Sequence, residues 1–198
     1  PDVPKIVVCG SVIGPVSDAL AANSARHWTD DTWLGYPATI AWLTDLLISR
    51  DARQLVFIAG DLHFSAVAAL NFRHGEQQVE ALQIVASGFY SPLPFTNSRR
   101  KDYCWQQPVR FQVAAGYELE SVAWQLTDET GHFLRLDFAQ QSEESPVANV
   151  RPETDVDKRR PRTDWTLKIS AWNSDNKQLP AIDRVPPVNR WWQVDEPV

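Results

Sequence analysis

The sequence has few cysteines, no methionine and no long apolar run. Its 198 residues contain two cysteines, Cys9 and Cys104, which are too few for a disulfide framework and form no CxxC pair that would indicate a zinc or redox motif. No stretch approaches the roughly 20 apolar residues of a membrane-spanning helix, and no basic segment followed by an apolar one resembles a signal peptide. These absences predict a soluble protein with two reduced thiols, no membrane partner and an unknown compartment.

Basic residues are outnumbered by acidic ones. With 19 Lys and Arg against 25 Asp and Glu, the formal net charge is -6. A nucleic-acid groove needs a basic stripe that displaces counterions from phosphates, so no nucleic-acid partner is expected. A local basic cluster can still contact one small anion.

Aromatic residues are abundant, with nine Trp, eight Phe and four Tyr, and 43% of the chain is hydrophobic. This composition favours a packed, β-containing interior over disorder. The length suits one domain, or one part of a larger domain.

The first 60 residues predict an α/β unit. Residues 5–9, KIVVC, form a short β-branched run that ends at a glycine and predicts a central strand buried on both faces. A helix of about three turns is predicted from Pro37, because Tyr36, Ile40, Leu43 and Leu47 have helical spacing. Residues 55–59, LVFIA, then predict a second buried strand.

Strand patterns dominate after residue 65. Strands are predicted over residues 65–72, 79–87, 109–115, 118–127 and 132–138, and residues 129–131 predict a hairpin turn that joins the last two. The polar, charged composition of residues 140–164 indicates a linker or mobile loop. Residues 165–172 predict a last strand, followed by a surface tail that Trp191 and Trp192 anchor. The predicted divisions are therefore residues 1–139, 140–164 and 165–198.

Two side chains with metal-binding chemistry follow the second buried strand. Asp61 and His63 come directly after Gly60, at the carboxyl end of the strand, which is where ligands collect in open α/β sheets. A carboxylate and an imidazole two positions apart can reach one cation, and this donor set suits zinc, iron or manganese. The structural alternative is that Asp61 caps a turn while His63 packs against its neighbours.

Two segments resemble a known family. The segment WTDDTWLGYPATIAWLTDLL, followed after a short gap by LVFIAGDLHFS, is similar to the PhoD-like phosphatases, relatives of the calcineurin-like and purple acid metallophosphatases. The resemblance covers roughly residues 28–90. It is carried by the residues of a Trp-x-Gly-Tyr-Pro helix entry and of a Gly-Asp-x-His-x-Ser motif, namely Trp33, Gly35, Tyr36, Pro37, Gly60, Asp61, His63 and Ser65.

The resemblance implies a fold and a reaction. The fold would be α/β (α+β), the C-terminal half of a calcineurin-like metallophosphatase β-sandwich flanked by helices, and β-rich after residue 65. The reaction would be metal-dependent hydrolysis of a phosphate ester at a divalent or mixed-valence metal pair drawn from Fe, Ca, Zn and Mn, which activates water for attack on phosphorus. His63 would be a direct metal ligand, and Asp61 a ligand or the carboxylate that orients one.

The sequence departs from the family pattern in one respect. The family's other ligand motifs, an Asp-x-His, a Gly-Asp-x-x-Asp and an Asn-bearing segment, lie upstream in the family and do not occur upstream of Asp61 here, and two protein ligands do not hold a catalytic metal pair. We therefore expect this chain alone to be inactive and its partner to be a missing N-terminal part of the same protein, because KIVVC lies where the family's sheet is well under way. The alternative is a degenerate relative that retains the fold without the reaction.

The remaining candidates are weaker. Arg99, Arg100 and His27 are predicted to contact the phosphate substrate, although solvated loop charges and an aromatic-packed histidine are the ordinary interpretations. Neither His74 nor His132 is assigned a role. Ser65 and Ser87 lack the Gly-x-Ser-x-Gly context of a nucleophile. A rival hypothesis from a different class is a non-catalytic β-rich binding module, in which Asp61 and His63 are structural and residues 89–105 form the interaction surface.

Overall fold

The computed structural model describes residues 3–14, 33–60, 62, 64–86, 103–104, 106–127, 131–140, 165–186, 191–195 and 197. Within these ranges the chain forms one α-helix, α1 (Pro37–Ser49), preceded by a 3-10 turn at Trp33–Gly35. The strands are β1 (Lys5–Val8), β2 (Leu55–Ala59), β3 (Ser65–His74), β4 (Gln77–Val85), β5 (Val109–Ala114), β6 (Tyr117–Thr127), β7 (His132–Gln140), β8 (Trp165–Asn173), β9 (Gln178–Leu179) and β10 (Trp192–Val194).

Six strands form the larger sheet, in the order β1-β2-β4-β3-β6-β5. β1, β2 and β4 are parallel, whereas β3, β6 and β5 continue the sheet through antiparallel pairs. The β3–β4 pair closes through a tight turn at Gly75, whose φ of 59° lies in the left-handed region that glycine adopts without strain. The parallel half of the sheet comes from the predicted α/β unit and the antiparallel half from the later strands.

The smaller sheet has the order β10-β8-β7, with β9 paired to β8. β7 and β8 run antiparallel from His132↔Asn173 to Gln140↔Trp165, and β10 runs parallel to β8. The C-terminal tryptophans are thus tied into a sheet. Trp192 is only 6% exposed, and its ring centroid lies 6.3 Å from that of Trp124, so its indole anchors this end of the chain. The prediction of a last strand over residues 165–172 was wrong, because β9 and β10 follow it.

One hydrophobic core lies between α1 and the larger sheet. Ile40, Leu43 and Leu47 on the helix pack over apolar side chains of the sheet, including Phe57 and Phe72. Each fully buried side chain of this size contributes roughly 1.5–3 kcal/mol. The helix is therefore held by its apolar stripe, as its 3.6-residue spacing predicts.

A second core lies on the opposite face of the larger sheet, where the two sheets pack together. Leu167 and Ile169 of β8 meet Val56 and Leu82 of the larger sheet, and all four side chains are buried. The result is a layered arrangement of helix, larger sheet and smaller sheet. The mixed α/β, strand-rich character expected from the sequence is confirmed.

The helix prediction was wrong in one detail. Pro37 begins the helix as expected, since a first-turn proline gives up no intrahelical hydrogen bond. Tyr36, however, is 57% exposed and occupies the N-cap position, where the backbone has not yet become helical. The residue that completes the buried face is Thr44, whose hydroxyl donates to the Ile40 carbonyl at 2.8 Å.

The prediction for β1 was wrong. β1 is not central but the edge of the larger sheet, and all four of its residues are exposed, Val8 to 76%. β-branched composition predicts an extended, pleated backbone, and the backbone does pair with β2. A strand is buried only when it has a neighbouring strand on each side and a packed layer on each face of the sheet. These conditions depend on the whole fold, and the composition of one strand does not determine them.

The hairpin prediction at residues 129–131 was also wrong. β6 belongs to the larger sheet and β7 to the smaller one, so the two consecutive strands are not partners. The end of β6 is instead paired by a later segment: Asp183 N–H donates to the Gln125 carbonyl, and Ile182 N–H donates to the Leu126 carbonyl, both at 3.0 Å. Strand patterns and turn residues therefore located the strands but not their partners.

Of the predicted linker over residues 140–164, Gln140 is the last residue of β7 and the rest lies outside the described residues. In the part of the chain that the structure describes, no helix is long and apolar enough to cross a membrane.

Candidate functional site

The carboxyl ends of three parallel strands meet at one edge of the larger sheet. The residues that follow β1 and β2 are in contact, because Gly60 N–H donates to the Gly10 carbonyl at 3.4 Å. The residue that follows β4 joins them, because Ala86 N–H donates to the Ala59 carbonyl at 3.0 Å. This edge is the place where open α/β sheets bind ligands.

The segment from Gly60 to Ser65, the 60–65 loop, leaves β2 at this edge and enters β3. Leu62 and Phe64 are each 3% exposed, and the Phe64 ring packs edge-on against Tyr103 at 5.7 Å. Ser65 is completely buried and pairs with Thr127, with a register shift before Ala66. Burial therefore fixes Leu62, Phe64 and Ser65, and a backbone hydrogen bond to Gly10 holds Gly60.

The predicted metal ligands Asp61 and His63 lie within this loop but outside the described residues. The predicted substrate contacts His27, Arg99 and Arg100 also lie outside the described residues. Among the described residues, no group of three or more His, Cys, Asp and Glu side chains has the arrangement of a metal site.

A buried polar network holds the segment after β1 against this edge. Gln83 of β4 accepts a hydrogen bond at its Oε1 from the Ile13 N–H, at 2.6 Å, and its amide group donates to the Gly14 carbonyl and to the Tyr103 hydroxyl. Tyr103 donates in turn to the Gly14 carbonyl at 2.9 Å. A side-chain Cβ at Gly14 would lie 3.3 Å from a methyl group of Leu119, so the segment packs tightly on the sheet.

The network is neutral and chemically inert. Burial raises the pKa of Tyr103 well above its usual value, so the phenol remains protonated and serves as a hydrogen-bond donor. Burial likewise raises the pKa of Cys9, whose thiol donates to the Ser11 carbonyl at 3.1 Å. Since the thiolate is the reactive form, Cys9 is not set up as a nucleophile. Cys9 and Cys104 do not form a disulfide.

Sequence reasoning missed a histidine that reaches the 60–65 loop. His132, the first residue of β7, is 1% exposed, and its Nε2 lies 2.5 Å from Oγ of Ser65. The residues are 67 positions apart, and no local spacing signals the contact. The pair resembles a serine nucleophile with its base only superficially, because both side chains are sealed from solvent and an attacking hydroxyl must reach its substrate.

A second histidine lies at the opposite end of the sheet. Nδ1 of His74 lies 2.9 Å from Oδ1 of Asp45, and the Tyr117 hydroxyl donates to Oδ2 of the same carboxylate at 2.8 Å. The His74 and Tyr117 rings are stacked at 4.0 Å. The Tyr117 hydrogen bond, followed by His74, lowers the pKa of Asp45. This surface cluster joins α1 to the hairpin end of the sheet.

A polar row lies beyond the amino-terminal end of β2, on the face that the smaller sheet covers. Asn71 lies between Glu80 and Glu120 in cross-strand register, and Arg110 donates to Glu120 at 2.6 Å. Asn71, Glu80 and Glu120 line a cleft of about 210 Å³, which Trp191 also borders. The cleft is separated from the 60–65 loop by the length of β2, so the two do not form one site.

Comparisons with models of known protein families, with curated proteins and with solved structures give no match.

Proposed function

We propose that this chain forms part of a metal-dependent phosphate-ester hydrolase of the PhoD-like type, with a calcineurin-like sandwich fold. The observation that supports this most directly is the position of the 60–65 loop. Gly60 and Ser65, which bracket Asp61 and His63, are located where the buried strand β2 ends beside the carboxyl ends of β1 and β4. A ligand-bearing motif at this edge agrees with the rule for open α/β sheets.

The donor set fits a metal but does not complete a catalytic centre. A carboxylate from Asp61 and an imidazole from His63 suit zinc, iron or manganese. A catalytic pair of metals needs more ligands than these two, so the proposed reaction requires residues beyond those of this motif. When bound, such metals lower the pKa of water and neutralise charge on the phosphoryl group.

Arg99, Arg100 and His27 are the proposed contacts to the substrate. A guanidinium group donates two parallel hydrogen bonds to phosphate oxygens, which suits an ester with a dianionic or monoanionic head. The chain carries a net negative charge, which repels a negatively charged phosphate ester. Local basic groups would be needed to offset this repulsion.

The proposed partner, a further N-terminal part of the same protein, would dock on β1. Lys5 N–H donates to the carbonyl of Gln54, just before β2, and Cys9 N–H donates to the Ile58 carbonyl of β2, so the alternating backbone groups of Ile6 and Val8 face away from β2. Their side chains are 49% and 76% exposed. An added strand would take up these backbone groups and cover the β-branched side chains, as parallel sheets normally require.

Hydrolysis of a chromogenic phosphate ester with added Mn²⁺, Zn²⁺ or Fe²⁺ tests the function in the complete gene product. His63→Ala is expected to abolish turnover, because it removes the imidazole proposed as a direct metal ligand. His74→Ala is the matched control, since His74 lies at the opposite end of the sheet and is expected to retain wild-type turnover. Wild-type turnover in the His63→Ala variant would overturn the proposal.

A further inference from the structure

Three polar side chains lie side by side on the face of the larger sheet that the smaller sheet covers. Asn71 of β3 is directly opposite Glu80 of β4 and Glu120 of β6. Side chains alternate between the two faces of a sheet, and Asn71 comes two residues after Ala69, which packs against the core between the sheets. Directly opposite residues share a face, so the three side chains form one row at the end of that core.

This row lines the cleft of about 210 Å³ described above. The other residues that line it are mostly apolar and include Ala69, Pro108, Val122, Trp191 and Trp192. An apolar cavity of about 150 Å³ is large enough to hold benzene. The cleft therefore has room for a molecule slightly larger than benzene, with polar groups on one side of it and apolar groups on the other.

The groups of the row that have no partner are hydrogen-bond acceptors. The Glu80 side chain is exposed and makes no ion pair or hydrogen bond with the described residues. The amide group of Asn71 donates to Gln78 at 3.2 Å, whereas its Oδ1 is buried and has no hydrogen-bond partner among the described residues. Buried acceptors are seldom left without a donor, so this atom marks a place for a further partner. A ligand that donates hydrogen bonds fits the row.

The charges around the cleft favour a cation. Arg110 donates to Glu120 from Nε at 3.0 Å and from Nη2 at 2.6 Å, so these two charges offset each other. Arg73 and Glu118, one row further from the core on the same face, are directly opposite one another. Among the described residues, Glu80 is left as the charge without a counterion. A carboxylate binds a protonated amine through charge-assisted hydrogen bonds, and tryptophan is the aromatic residue that organic cations favour most.

We propose that this cleft binds a small organic cation, a protonated primary amine on a short apolar chain. The ammonium group donates to the Glu80 carboxylate and to Oδ1 of Asn71, and the chain lies against the apolar walls. The uncompensated carboxylate repels an anion such as a phosphate ester. The cleft is therefore a second site, separate from the 60–65 loop, and the proposal does not depend on the proposed hydrolase function.

The test is a titration of the 198-residue chain with n-butylammonium, monitored by the amide chemical shifts of Ala69, Glu80 and Glu120. For so small a ligand the Kd is expected to lie in the millimolar range. The comparison ligands n-butanol and butyrate carry a similar chain on a neutral and an anionic head. Both are expected to bind at least about fivefold more weakly, because neither pairs its charge with a carboxylate.

Two variants remove the proposed acceptors one at a time. Glu80→Gln removes the carboxylate at an exposed position, and Asn71→Leu removes the buried acceptor. Each is expected to raise the Kd of n-butylammonium by about fivefold. Thermal unfolding of each variant separates a loss of affinity from a loss of fold, and Glu80→Gln carries the test if Asn71→Leu does not fold.

Glu76→Gln is the matched control. It removes the same charge from an exposed position in the turn between β3 and β4, and Glu76 does not line the cleft. Its Kd for n-butylammonium is expected to stay within about twofold of the wild-type value, because salt screens a charge at that distance.

The outcomes decide the proposal as follows. Saturable shifts with n-butylammonium that Glu80→Gln weakens and Glu76→Gln does not would support the site. The proposal is overturned if n-butylammonium gives no saturable shift, if n-butanol or butyrate binds with equal affinity, or if the folded Glu80→Gln variant keeps the wild-type Kd.

Discussion

Ile13 and Gln83 are 70 residues apart in the sequence, and the Ile13 N–H donates to Oε1 of Gln83 at 2.6 Å in the interior of the protein. The same amide side chain donates to the Gly14 carbonyl and to the Tyr103 hydroxyl. One glutamine therefore fastens the segment after β1 to β4. An interior glutamine with three partners is a specific structural element, because the Ile13 N–H would lose its acceptor without it.

Gln83→Leu is expected to destabilise the protein by about 1–3 kcal/mol, because the Ile13 N–H would lose its acceptor in a buried setting. The free energy of unfolding from urea titration measures the effect. Gln77→Leu, at an exposed position of the same strand, is the control and is expected to change that free energy by less than about 0.5 kcal/mol. Equal effects of the two substitutions would show that the network does not stabilise the fold.

Asp45 is expected to make stability depend on acidic pH. Its folded-state pKa is lowered, chiefly by the Tyr117 hydrogen bond, so its contribution is present above the unfolded pKa of about 3.9 and is lost as pH falls through the lower folded value. The free energies of unfolding of the wild type and of Asp45→Asn, measured from pH 6 down to the lowest pH at which both are folded, test this dependence. The stability difference between them is expected to shrink as pH falls below about 4.

Asp175→Asn is the control for that series. Asp175 is exposed on a turn, and its carboxylate has no hydrogen-bond partner among the described residues. The control is expected to change the free energy of unfolding by less than about 0.5 kcal/mol. A pH-independent difference between the wild type and Asp45→Asn would contradict the assigned role of this carboxylate.

Leu167 is expected to couple the two sheets. It is completely buried in the core between them, so Leu167→Ala leaves a cavity between the two sheets and should cost about 2–5 kcal/mol. Lys168→Ala changes the next residue of the same strand, whose side chain is exposed, and is expected to cost less than about 0.5 kcal/mol. Calorimetric unfolding measures both. A small loss for Leu167→Ala would mean that the sheets do not share this core.

Val8 is expected to govern self-association through the open edge of the larger sheet. An exposed β-branched edge strand is a template for pairing with other chains, and a lysine there blocks such pairing. Val8→Lys should lower concentration-dependent light scattering and leave the free energy of unfolding within about 0.5 kcal/mol of the wild type. A loss of more than about 2 kcal/mol would show that Val8 is covered within the folded chain.

The sequence predicted those features that depend on local periodicity. The α1 stripe, the buried strand β2 and six later strands were located within two residues of their ends, because spacings of 3.6 and 2 residues are set by backbone geometry. It did not predict that β1 is an edge or that β7 leaves β6 for another sheet. Strand partners depend on contacts between residues far apart in sequence, which no local pattern records.

The candidate site was predicted in the same uneven way. Asp61 and His63 were found because they follow a buried strand within six residues, and they stay a prediction, as do His27, Arg99 and Arg100. His132 was set aside because a lone histidine at the start of a strand carries no signal of its own. Its partner Ser65 is adjacent only through the packing of the two sheets.

Metal binding by the 60–65 loop is tested by the metal content of the purified 198-residue chain. It is measured by mass spectrometry after equilibrium dialysis against Mn²⁺ or Zn²⁺, for the wild type, His63→Ala and His74→Ala. The wild type and His74→Ala are expected to retain equal metal above the dialysis background, and His63→Ala is expected to retain less. Equal metal content in the wild type and His63→Ala would contradict a metal-binding role for the 60–65 loop and would favour a non-catalytic binding module.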